Sequence, residues 1–377
     1  MLTHEKRPIQ WLRRIIQAIF VAFIVFVGLR HQYGSGGSPI DAYCPLGGVE
    51  SLYSLLTQGK MLAKTAYSNL ILLGILLITT LLAGGFFCGW ICPLGTIQDW
   101  IYAFRKKFVK KTMILPQMLD HYLRYLKYGV LILILIMTIR GMELWFADYD
   151  PFKVLFHFSF ESTTAYVVLG LTVLTSLLIE RFWCKYLCPL GALLTPLAKI
   201  GLIKPKKTEQ CVDCNLCMRS CTMGLKEIGE SGCTNCLECV SVCPAKGALE
   251  IHSGMKKPLR APYILPTVTI LLAAVLVAGS MNAGLWQTRT SMSATAVSTS
   301  GEVSTENSNY PPVEAITGMT YLDEVGKTYE LSPEKILERA KLDPDQDPHQ
   351  TVRDVTKKVG LEVEVIREAV RELLLEK

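Results

Sequence analysis

The strongest indication of the fold is a cysteine-rich stretch that lies past the middle of the chain. It reads Cys211-Val-Asp-Cys-Asn-Leu-Cys-Met-Arg-Ser-Cys221 and, eleven residues later, Cys233-Thr-Asn-Cys-Leu-Glu-Cys-Val-Ser-Val-Cys243-Pro244. Both copies have the spacing C-x2-C-x2-C-x3-C, and together they hold eight of the 13 cysteines in the chain. Thiols that recur at one short spacing are typical of metal ligands. The stretch therefore predicts a small domain that is organised around bound metal.

The spacing of the two quartets indicates two [4Fe–4S] clusters. The same run characterises bacterial two-cluster ferredoxins, in which the fourth cysteine of each quartet binds the other cluster. The expected ligand sets are Cys211, Cys214, Cys217 and Cys243 for cluster 1, and Cys233, Cys236, Cys239 and Cys221 for cluster 2. A pair of zinc sites is the alternative, but zinc ribbons pair two C-x2-C knuckles across a longer gap. We expect an α+β ferredoxin domain over residues 204–254.

Outside this domain the chain has the composition of a membrane protein. Of its 377 residues 50% are hydrophobic and 19% are charged, whereas a soluble domain is about 25% charged. This excludes an ordinary soluble enzyme, a disordered chain and a small disulfide scaffold. Five apolar segments approach the ~20 residues that a spanning helix needs; they cover about 15–29, 69–87, 128–146, 164–179 and 263–281. The first and fourth are short, so a tilted or re-entrant segment is an alternative for either.

The positive residues predict how these segments are oriented. Lys and Arg concentrate before the first segment, between the second and third, and after the fourth, which favours a cytoplasmic N-terminus and an odd number of spans. The ferredoxin domain is then cytoplasmic. Residues 310–377 carry a net charge of −5 against +11 for the rest of the chain, and they are expected outside the cell.

The expected architecture is mostly α-helical: a polytopic membrane protein of about five spans with the inserted ferredoxin domain and a small C-terminal all-helical domain. The expected division of the chain is a membrane domain with four spans, the ferredoxin domain, a fifth span, a flexible Ser/Thr/Asn-rich linker and the external helical domain; their bounds are 1–203, 204–254, 255–285, 286–309 and 310–377.

Four more cysteines lie in an internal repeat. Phe86-Phe-Cys-Gly-Trp-Ile-Cys-Pro-Leu-Gly95 is matched by Phe182-Trp-Cys-Lys-Tyr-Leu-Cys-Pro-Leu-Gly191, each at the end of an apolar segment. A residue before proline avoids the helical region, so each helix should end near its second cysteine, and the two pairs should lie at one depth. Cys88, Cys92, Cys184 and Cys188 could be packing residues, a dithiol pair or a four-thiolate metal centre. We favour a redox role and leave the last two alternatives open.

The remaining cysteine repeats only part of this motif. Cys44 stands in Tyr43-Cys-Pro-Leu-Gly47, without an earlier partner, and the stretch that follows could be a short helix dipping into the membrane. A lone cysteine is by default structural, but the shared C-P-L-G tetrapeptide makes it a candidate for the redox site as well.

Taken together, these motifs resemble those of the polyferredoxin-like membrane proteins of the NapH/NosR/CcoG type. The similarity covers about residues 10–285 and rests on two C-x3-C-P motifs, the tandem quartets and the loop around Cys44. It implies a multi-pass protein of a prokaryotic cell membrane. It also implies electron transfer from quinol or cytoplasmic donors towards extracytoplasmic reductases, with membrane lipid and redox proteins on one or both sides as partners. A quinone and a further membrane-side metal centre are candidate cofactors.

The C-terminal region contains its own repeat. The segment from Tyr321 to Ile336 aligns with the segment from Thr351 to Ile366, and each reads as helix, turn, helix. A helix-turn-helix suggests DNA binding, but an acidic, external region does not suit nucleic acid. A module that docks a redox partner is the better hypothesis.

Three functions fit this sequence. The first is a membrane electron carrier or redox subunit of a quinol-linked or ferredoxin-linked system, for which no catalytic residue is assigned. The second is a redox sensor or assembly factor for an extracytoplasmic redox enzyme, without sustained electron flux. A transporter with an accessory ferredoxin is the weakest, because no apolar segment carries a run of charges.

Overall fold

The fold was analysed in a computed structural model. The structure describes residues 7–33, 40–58, 62, 65–109, 115–141, 146, 149–157, 163–245, 247–252, 263–287, 310, 313, 316, 318, 320–344, 346–348, 350–357, 359, 361 and 363–375. Almost all of the predicted linker, from residue 288 to 309, and the junction at 253–262 lie outside these ranges.

The described part of the chain is mainly helical. The helices preceding the quartets are α1 Arg7–Tyr33, α2 Pro45–Gln58, α3 Tyr67–Ala83, α4 Phe86–Trp90, α5 Pro93–Phe108, α6 Gln117–Gly141, α7 Pro151–His157, α8 Thr163–Leu178, α9 Phe182–Tyr186 and α10 Pro189–Ile200. The cysteine-rich region contains β1 Lys204–Lys207, α11 Leu216–Arg219, α12 Glu238–Val242 and β2 Leu249–His252. They are followed by α13 Ile264–Asn282, α14 Leu322–Tyr329, α15 Pro333–Arg339, α16 Val352–Lys357 and α17 Glu364–Leu375.

Each of the five predicted apolar segments contains a helix among its described residues, but these helices differ in length. Three helices among the described residues are long and apolar enough to span a membrane, namely Pro8–Gln32, Gln117–Arg140 and Ile264–Asn282. Helices α3 and α8, the second and fourth predicted spans, have only 17 and 16 residues. Helix α3 stops at Ala83 because Gly84 takes a φ of +57°, and not at residue 87 as expected. The structure thus supports three spans, and a count of five stays a prediction.

The third apolar segment starts earlier than its hydropathy indicated. The expected range was 128–146, whereas α6 begins at Gln117. Its first three turns mix charged and polar residues with apolar ones, and Arg124 Nη2 donates to the carbonyl of Met223 at 2.8 Å. Packing against the cysteine-rich region therefore extends a helix whose start is not apolar.

Each copy of the C-P-L-G tetrapeptide opens a helix. Proline occupies the first position of α2, α5 and α10, where a missing N–H costs nothing and the fixed φ suits a helix. Cys92 and Cys188 are the N-cap residues of α5 and α10. The preceding helices α4 and α9 end two residues before them, as the X-Pro rule predicts.

The cysteine-rich region forms a small unit with internal two-fold similarity. Strands β1 and β2 pair antiparallel, with Lys204 opposite His252. Asp213 and Asn215 in the first quartet have φ of 45° and 57°, and Asn235 and Leu237 in the second have 46° and 58°. In each quartet, the residues two and four positions after the first cysteine have a left-handed backbone conformation, so both loops curve in the same way. The backbone of each quartet is thus shaped to turn three cysteines towards one centre.

The predicted C-terminal repeat is present in the fold. Helices α14 and α15 form one copy and α16 and α17 the other, and an isolated bridge joins Tyr321 to Thr351, which are equivalent positions. The four helices share an apolar core that includes Val325, Tyr329 and Ile366, all fully buried. Ser332 caps α15 by accepting from the backbone N–H of Lys335.

This core predicts the effect of a single truncation. Tyr329→Ala should destabilise the C-terminal unit by about 3 kcal/mol or more, because it removes a fully buried ring. Limited proteolysis of the full-length protein should then cleave within 310–377 several times faster. Val359→Ala is the control, since its side chain is 56% exposed; equal cleavage of the two variants would contradict the expected core.

Candidate functional site

Two cavities in the cysteine-rich region are lined by the eight quartet cysteines. One, of about 340 Å³, is lined by Cys211, Cys214, Cys217 and Cys243 together with Ala248 and Leu249. The other, of about 430 Å³, is lined by Cys221, Cys233, Cys236 and Cys239, and Cys217 lines both cavities. Each cavity therefore collects three thiols of one quartet and the fourth thiol of the other, which is the arrangement that a two-cluster ferredoxin requires.

The thiols suit a polynuclear cluster better than a single ion. Four sulfurs around one zinc would lie about 3.8 Å apart, given a Zn–S distance of about 2.3 Å. Among the described residues, which include all 13 cysteines, no group of three or more His, Cys, Asp or Glu is arranged to hold one metal ion. A cubane spreads its four thiolates over four irons and needs the wider spacing. The grouping of the thiols in the two cavities thus fits [4Fe–4S] clusters.

Because these thiols are buried, they need a bound cation such as iron in order to lose their protons and become thiolates. Removal from water raises the pKa of Cys233 to about 12, although backbone N–H groups of Asn235 and Gly229 oppose the shift. Burial likewise raises the pKa of Cys221 and lifts that of Cys239 well above its usual value. Thiolates are therefore unfavourable here without a positive partner, and cluster insertion must displace their protons.

The loop around cluster 2 is docked on the membrane helices. The backbone N–H of Gly85 donates to the carbonyl of Cys233 at 3.3 Å, and Trp90 Nε1 donates to the carbonyl of Asn235 at 2.9 Å. Asn235 Nδ2 donates in turn to the carbonyls of Ala83 and Ile203. The ligand loop of the second quartet is therefore anchored on α4, the helix that carries Cys88.

Two glycines of α4 make this docking possible. A Cβ at Gly85 would lie 2.6 Å from the carbonyl oxygen of Cys233, and a Cβ at Gly89 would lie 2.3 Å from that of Thr234. Both distances are far below van der Waals contact with a backbone atom. Only glycine permits the ligand loop to approach the helix this closely.

We therefore expect Gly89→Ala to displace the second quartet from α4. Its predicted cost is about 1–3 kcal/mol of stability, with faster proteolysis between residues 204 and 252 in the detergent-solubilised protein. Gly129→Ala is the matched control, because an added Cβ there meets nothing within 4 Å and alanine favours a helix interior. A Gly89→Ala protein as resistant as the control would show that the loop is not anchored here.

The four cysteines of the C-x3-C-P motifs come together from the two repeats. Every pair among Cys88, Cys92, Cys184 and Cys188 is close enough to interact electrostatically. Gln98 Nε2 donates to the sulfur of Cys184 at 3.3 Å, and the backbone N–H of Gly191 donates to that of Cys188 at 3.3 Å. The convergence expected from the repeat is thus present, and these four thiols are referred to below as the tetrathiol group.

Cys44 occupies a different environment. It precedes α2, and its charged neighbours are Asp150 and Asp41. It packs in an apolar cluster that also contains Cys92 and Cys188. Cys44 therefore lies near the tetrathiol group but in a more acidic environment.

A buried network of charges lies beside the tetrathiol group, and the sequence interpretation missed it. Arg181, with 0% of its side chain exposed, pairs with Asp99 through two contacts of 2.6 Å. Asp99 also pairs with Arg13 at 2.7 Å. Arg181 Nη1 donates to the carbonyl of Cys88, and Arg13 Nε donates to that of Gly89. The arginines had been read as topology signals; the available hint was that Arg181 directly precedes the second repeat.

Comparisons with known proteins give one family model and several relatives of this chain. A family model described as a 4Fe-4S binding domain matches twice, at residues 65–111 and 162–208. Protein MJ0750 of Methanocaldococcus jannaschii is 30% identical over 66% of this chain and 98% of its own length. The ferredoxin-type protein NapH of Haemophilus influenzae is 31% identical over 51% of this chain and 72% of its own length. The chain belongs to the NapH/NosR family of ferredoxin-type membrane proteins.

These similarities confirm the family that the sequence motifs predicted. The regulatory protein NosR of Pseudomonas aeruginosa is 30% identical over 41% of this chain, but that match covers 23% of NosR. No solved structure is significantly similar to this chain. Relatives of the NapH/NosR family and the twice-matched [4Fe–4S] domain show an iron–sulfur protein of the electron-transport type. Each matched stretch holds one C-x3-C-P motif, and both end before Cys211.

Proposed function

We propose that this NapH/NosR family protein is a membrane-bound electron carrier that passes electrons between a cytoplasmic or quinol donor and an extracytoplasmic acceptor. Its carriers would include two [4Fe–4S] clusters with the crossed ligand sets described above. The observation that carries the proposal is the docking of the Cys233–Asn235 loop on Gly85 and Gly89 of α4. A ferredoxin unit fastened to helices of the membrane part has a fixed route for electrons between the two.

The chain's own residues provide the conditions that such transfer needs. When bound, each cluster supplies one-electron redox chemistry. Met218, Met223 and Leu225 line the cavity of cluster 2 and keep water from it. Asn235 and Trp90 hold its ligand loop at one place on α4. Electron transfer moves no heavy atoms, so rigid positioning is the main contribution of the protein.

Exposed apolar surfaces support a location in the lipid bilayer. Helix α1 exposes Ile15, Ile19 and Phe23, and α13 exposes Val268 and Leu271, all to at least 48%. Such continuous apolar faces are unusual on soluble proteins and suit contact with lipid. The positive residues that flank the segments support a cytoplasmic N-terminus and ferredoxin domain, with residues 310–377 outside. The external unit would then dock a redox protein on that side.

Vesicles of defined orientation test this function. In anaerobic right-side-out vesicles, a quinol analogue or reduced ferredoxin supplied inside should reduce the clusters within seconds. External ferricyanide, which does not cross the membrane, should then reoxidise them, as followed by EPR after rapid freezing. A Cys214→Ser, Cys236→Ser protein should lose both signals, whereas Cys44→Ser should behave like the wild type. Reduction over many minutes with no response to ferricyanide would contradict an electron carrier.

The second candidate is a redox sensor or assembly factor without sustained flux. It is favoured by the similarity to NosR, whose name describes a regulatory protein. The same vesicles distinguish the two functions by rate, because a sensor needs to change its oxidation state only once per signal. Slow reduction, together with normal loading of both clusters, is the result expected for the sensor.

A further inference from the structure

We propose that Cys88, Cys92, Cys184 and Cys188 hold a third iron–sulfur cluster, of the [4Fe–4S] type, at the junction of the two C-x3-C-P repeats. It would exchange electrons with cluster 2 in the ferredoxin unit. This inference rests on the proposed electron-transfer function and extends it into the membrane part, where a carrier is needed to bridge a core about 30 Å thick.

The first argument is the construction of the site. Two sequence repeats that are far apart in the chain each contribute one thiol from a short helix and one from the N-cap of the next helix. Gly95 lies between them: a Cβ there would be 3.2 Å from the carbonyl of Cys88 and 3.8 Å from the sulfur of Cys184. The glycine of the C-P-L-G tetrapeptide thus leaves room where the two repeats face each other.

The second argument concerns what four such thiols can bind. A dithiol pair needs two cysteines and does not explain why all four interact with one another. A single ion does not fit, since no three potential ligands among the described residues converge on one metal position. A cubane binds one thiolate to each of four irons and needs the wider arrangement. Of these alternatives, a cubane uses all four thiols without requiring them to converge on one ion.

The third argument is a buried cation that faces the sulfurs. The side chain of Lys127 is buried, with the residue 7% exposed, and its charge acts on Cys88, Cys184 and Cys188. Its ammonium donates to the hydroxyl of Thr195 at 2.7 Å and lies 5.5 Å from the ring of Tyr128. Within the described ranges no carboxylate forms an ion pair with it. A buried, uncompensated ammonium is costly, so it indicates an anionic group at this place.

An iron–sulfur cluster is such a group. A [4Fe–4S] core with four thiolates carries about two negative charges overall in its oxidised form. Lys127 provides one positive charge, and Arg181, which acts on Cys88 and Cys184, provides a second. Arg181 and Arg13 both pair with Asp99, and Arg13 also lies 3.9 Å from Glu238. Lys127, which has no paired carboxylate among the described residues, is therefore the cation whose charge an anionic cluster would offset.

The same residues connect this site to cluster 2. Arg181 acts on Cys184 of the tetrathiol group and on Cys236 of cluster 2, and it donates to the carbonyl of Cys88. Gly85 binds the carbonyl of Cys233 three residues before Cys88. In the transfer itself, cluster 2 is oxidised by one electron and the third cluster is reduced by one; all thiolate–iron bonds remain and no proton moves.

Iron and sulfide analysis of the anaerobically purified full-length protein tests this inference. The wild type should hold about twelve irons and twelve sulfides per chain. Cys88→Ser, Cys184→Ser should hold about eight, and the reciprocal Cys214→Ser, Cys236→Ser protein should retain about four. Cys44→Ser is the matched control with the same tetrapeptide and should hold about twelve. In dithionite-reduced samples, Lys127→Met should shift the midpoint potential of one EPR signal to lower values and leave the other two unchanged.

The outcomes separate this inference from the proposed function. About eight irons in the wild type, unchanged in Cys88→Ser, Cys184→Ser, would overturn the third cluster and leave the two-cluster carrier intact. Iron lost completely on replacing Cys214 and Cys236 would also overturn it, whether or not the first double variant folds. An iron-free wild type after anaerobic reconstitution would refute both.

Discussion

Replacing Cys221 with serine is expected to alter the same EPR signal as replacing Cys236, although the two cysteines belong to different quartets. The reason is that both line the larger cavity of the ferredoxin unit. Cys243→Ser should instead act like Cys214→Ser, because these two line the smaller cavity. Each single variant should lose about four irons or lose one cluster's spectrum. The measurement is EPR of dithionite-reduced protein, combined with iron analysis.

The crossed ligand sets are tested by which variants alter the same EPR signal, and not by the loss of iron alone. If Cys221→Ser and Cys214→Ser altered one signal together, each quartet would hold its own cluster. Cys44→Ser should leave both signals and the iron content unchanged, since Cys44 lies away from both cavities next to Asp150.

Asp99→Asn is expected to destabilise the protein by about 3–5 kcal/mol, which is the cost of breaking a buried ion pair from one side. Asp99 is the shared acceptor for two buried guanidinium groups, from Arg181 and Arg13. Its neutralisation leaves the fully buried Arg181 without its paired carboxylate, and leaves Arg13 with only a longer contact of 3.9 Å to Glu238. Denaturant unfolding in detergent micelles, followed by helical circular dichroism, should show the loss.

The control is an ion pair that remains in contact with water. Glu372 pairs with Arg339 at 3.3 Å while its side chain is 51% exposed. Such pairs contribute about 0–1 kcal/mol, so Glu372→Gln should have little effect. Equal effects of the two substitutions would mean that the Asp99 network is accessible to water and carries no special weight.

Several elements could be predicted because their signals are local. The backbone curvature of each quartet depends on residues that lie three or four positions apart in the sequence. The starts of α2, α5 and α10 follow from the proline of C-P-L-G, and the C-terminal repeat follows from helical periodicity within some 30 residues. For the same reason the apolar segments could be identified as helices, whereas their ends could not. Helix α6 begins with turns of mixed polarity that distant contacts hold in place, from Arg124 to Met223 and from Tyr186 to Asp120.

The residues of the candidate site also fall into two groups, those that the local sequence predicts and those that it does not. The cysteine ligands were predictable from spacing, but Gly85, Gly89, Lys127 and Arg181 were not singled out. Each acts through a partner more than 60 positions away in the chain: Cys233, Thr234, Thr195 and Asp99 respectively. A glycine or a basic residue at the end of an apolar segment has many uses, and its neighbours in sequence do not say which one applies.

By itself, the sequence therefore determined the kind of chemistry: thiolates at cluster spacing, apolar helices and a duplicated cysteine motif. Tertiary structure alone decided how these parts meet. It brings four thiols of the two repeats together, buries two cations beside them and fastens the second quartet on the same short helix. The physical reason is that ligand spacing is a property of a few consecutive residues, whereas charge compensation and close backbone approach depend on which distant surfaces pack against each other.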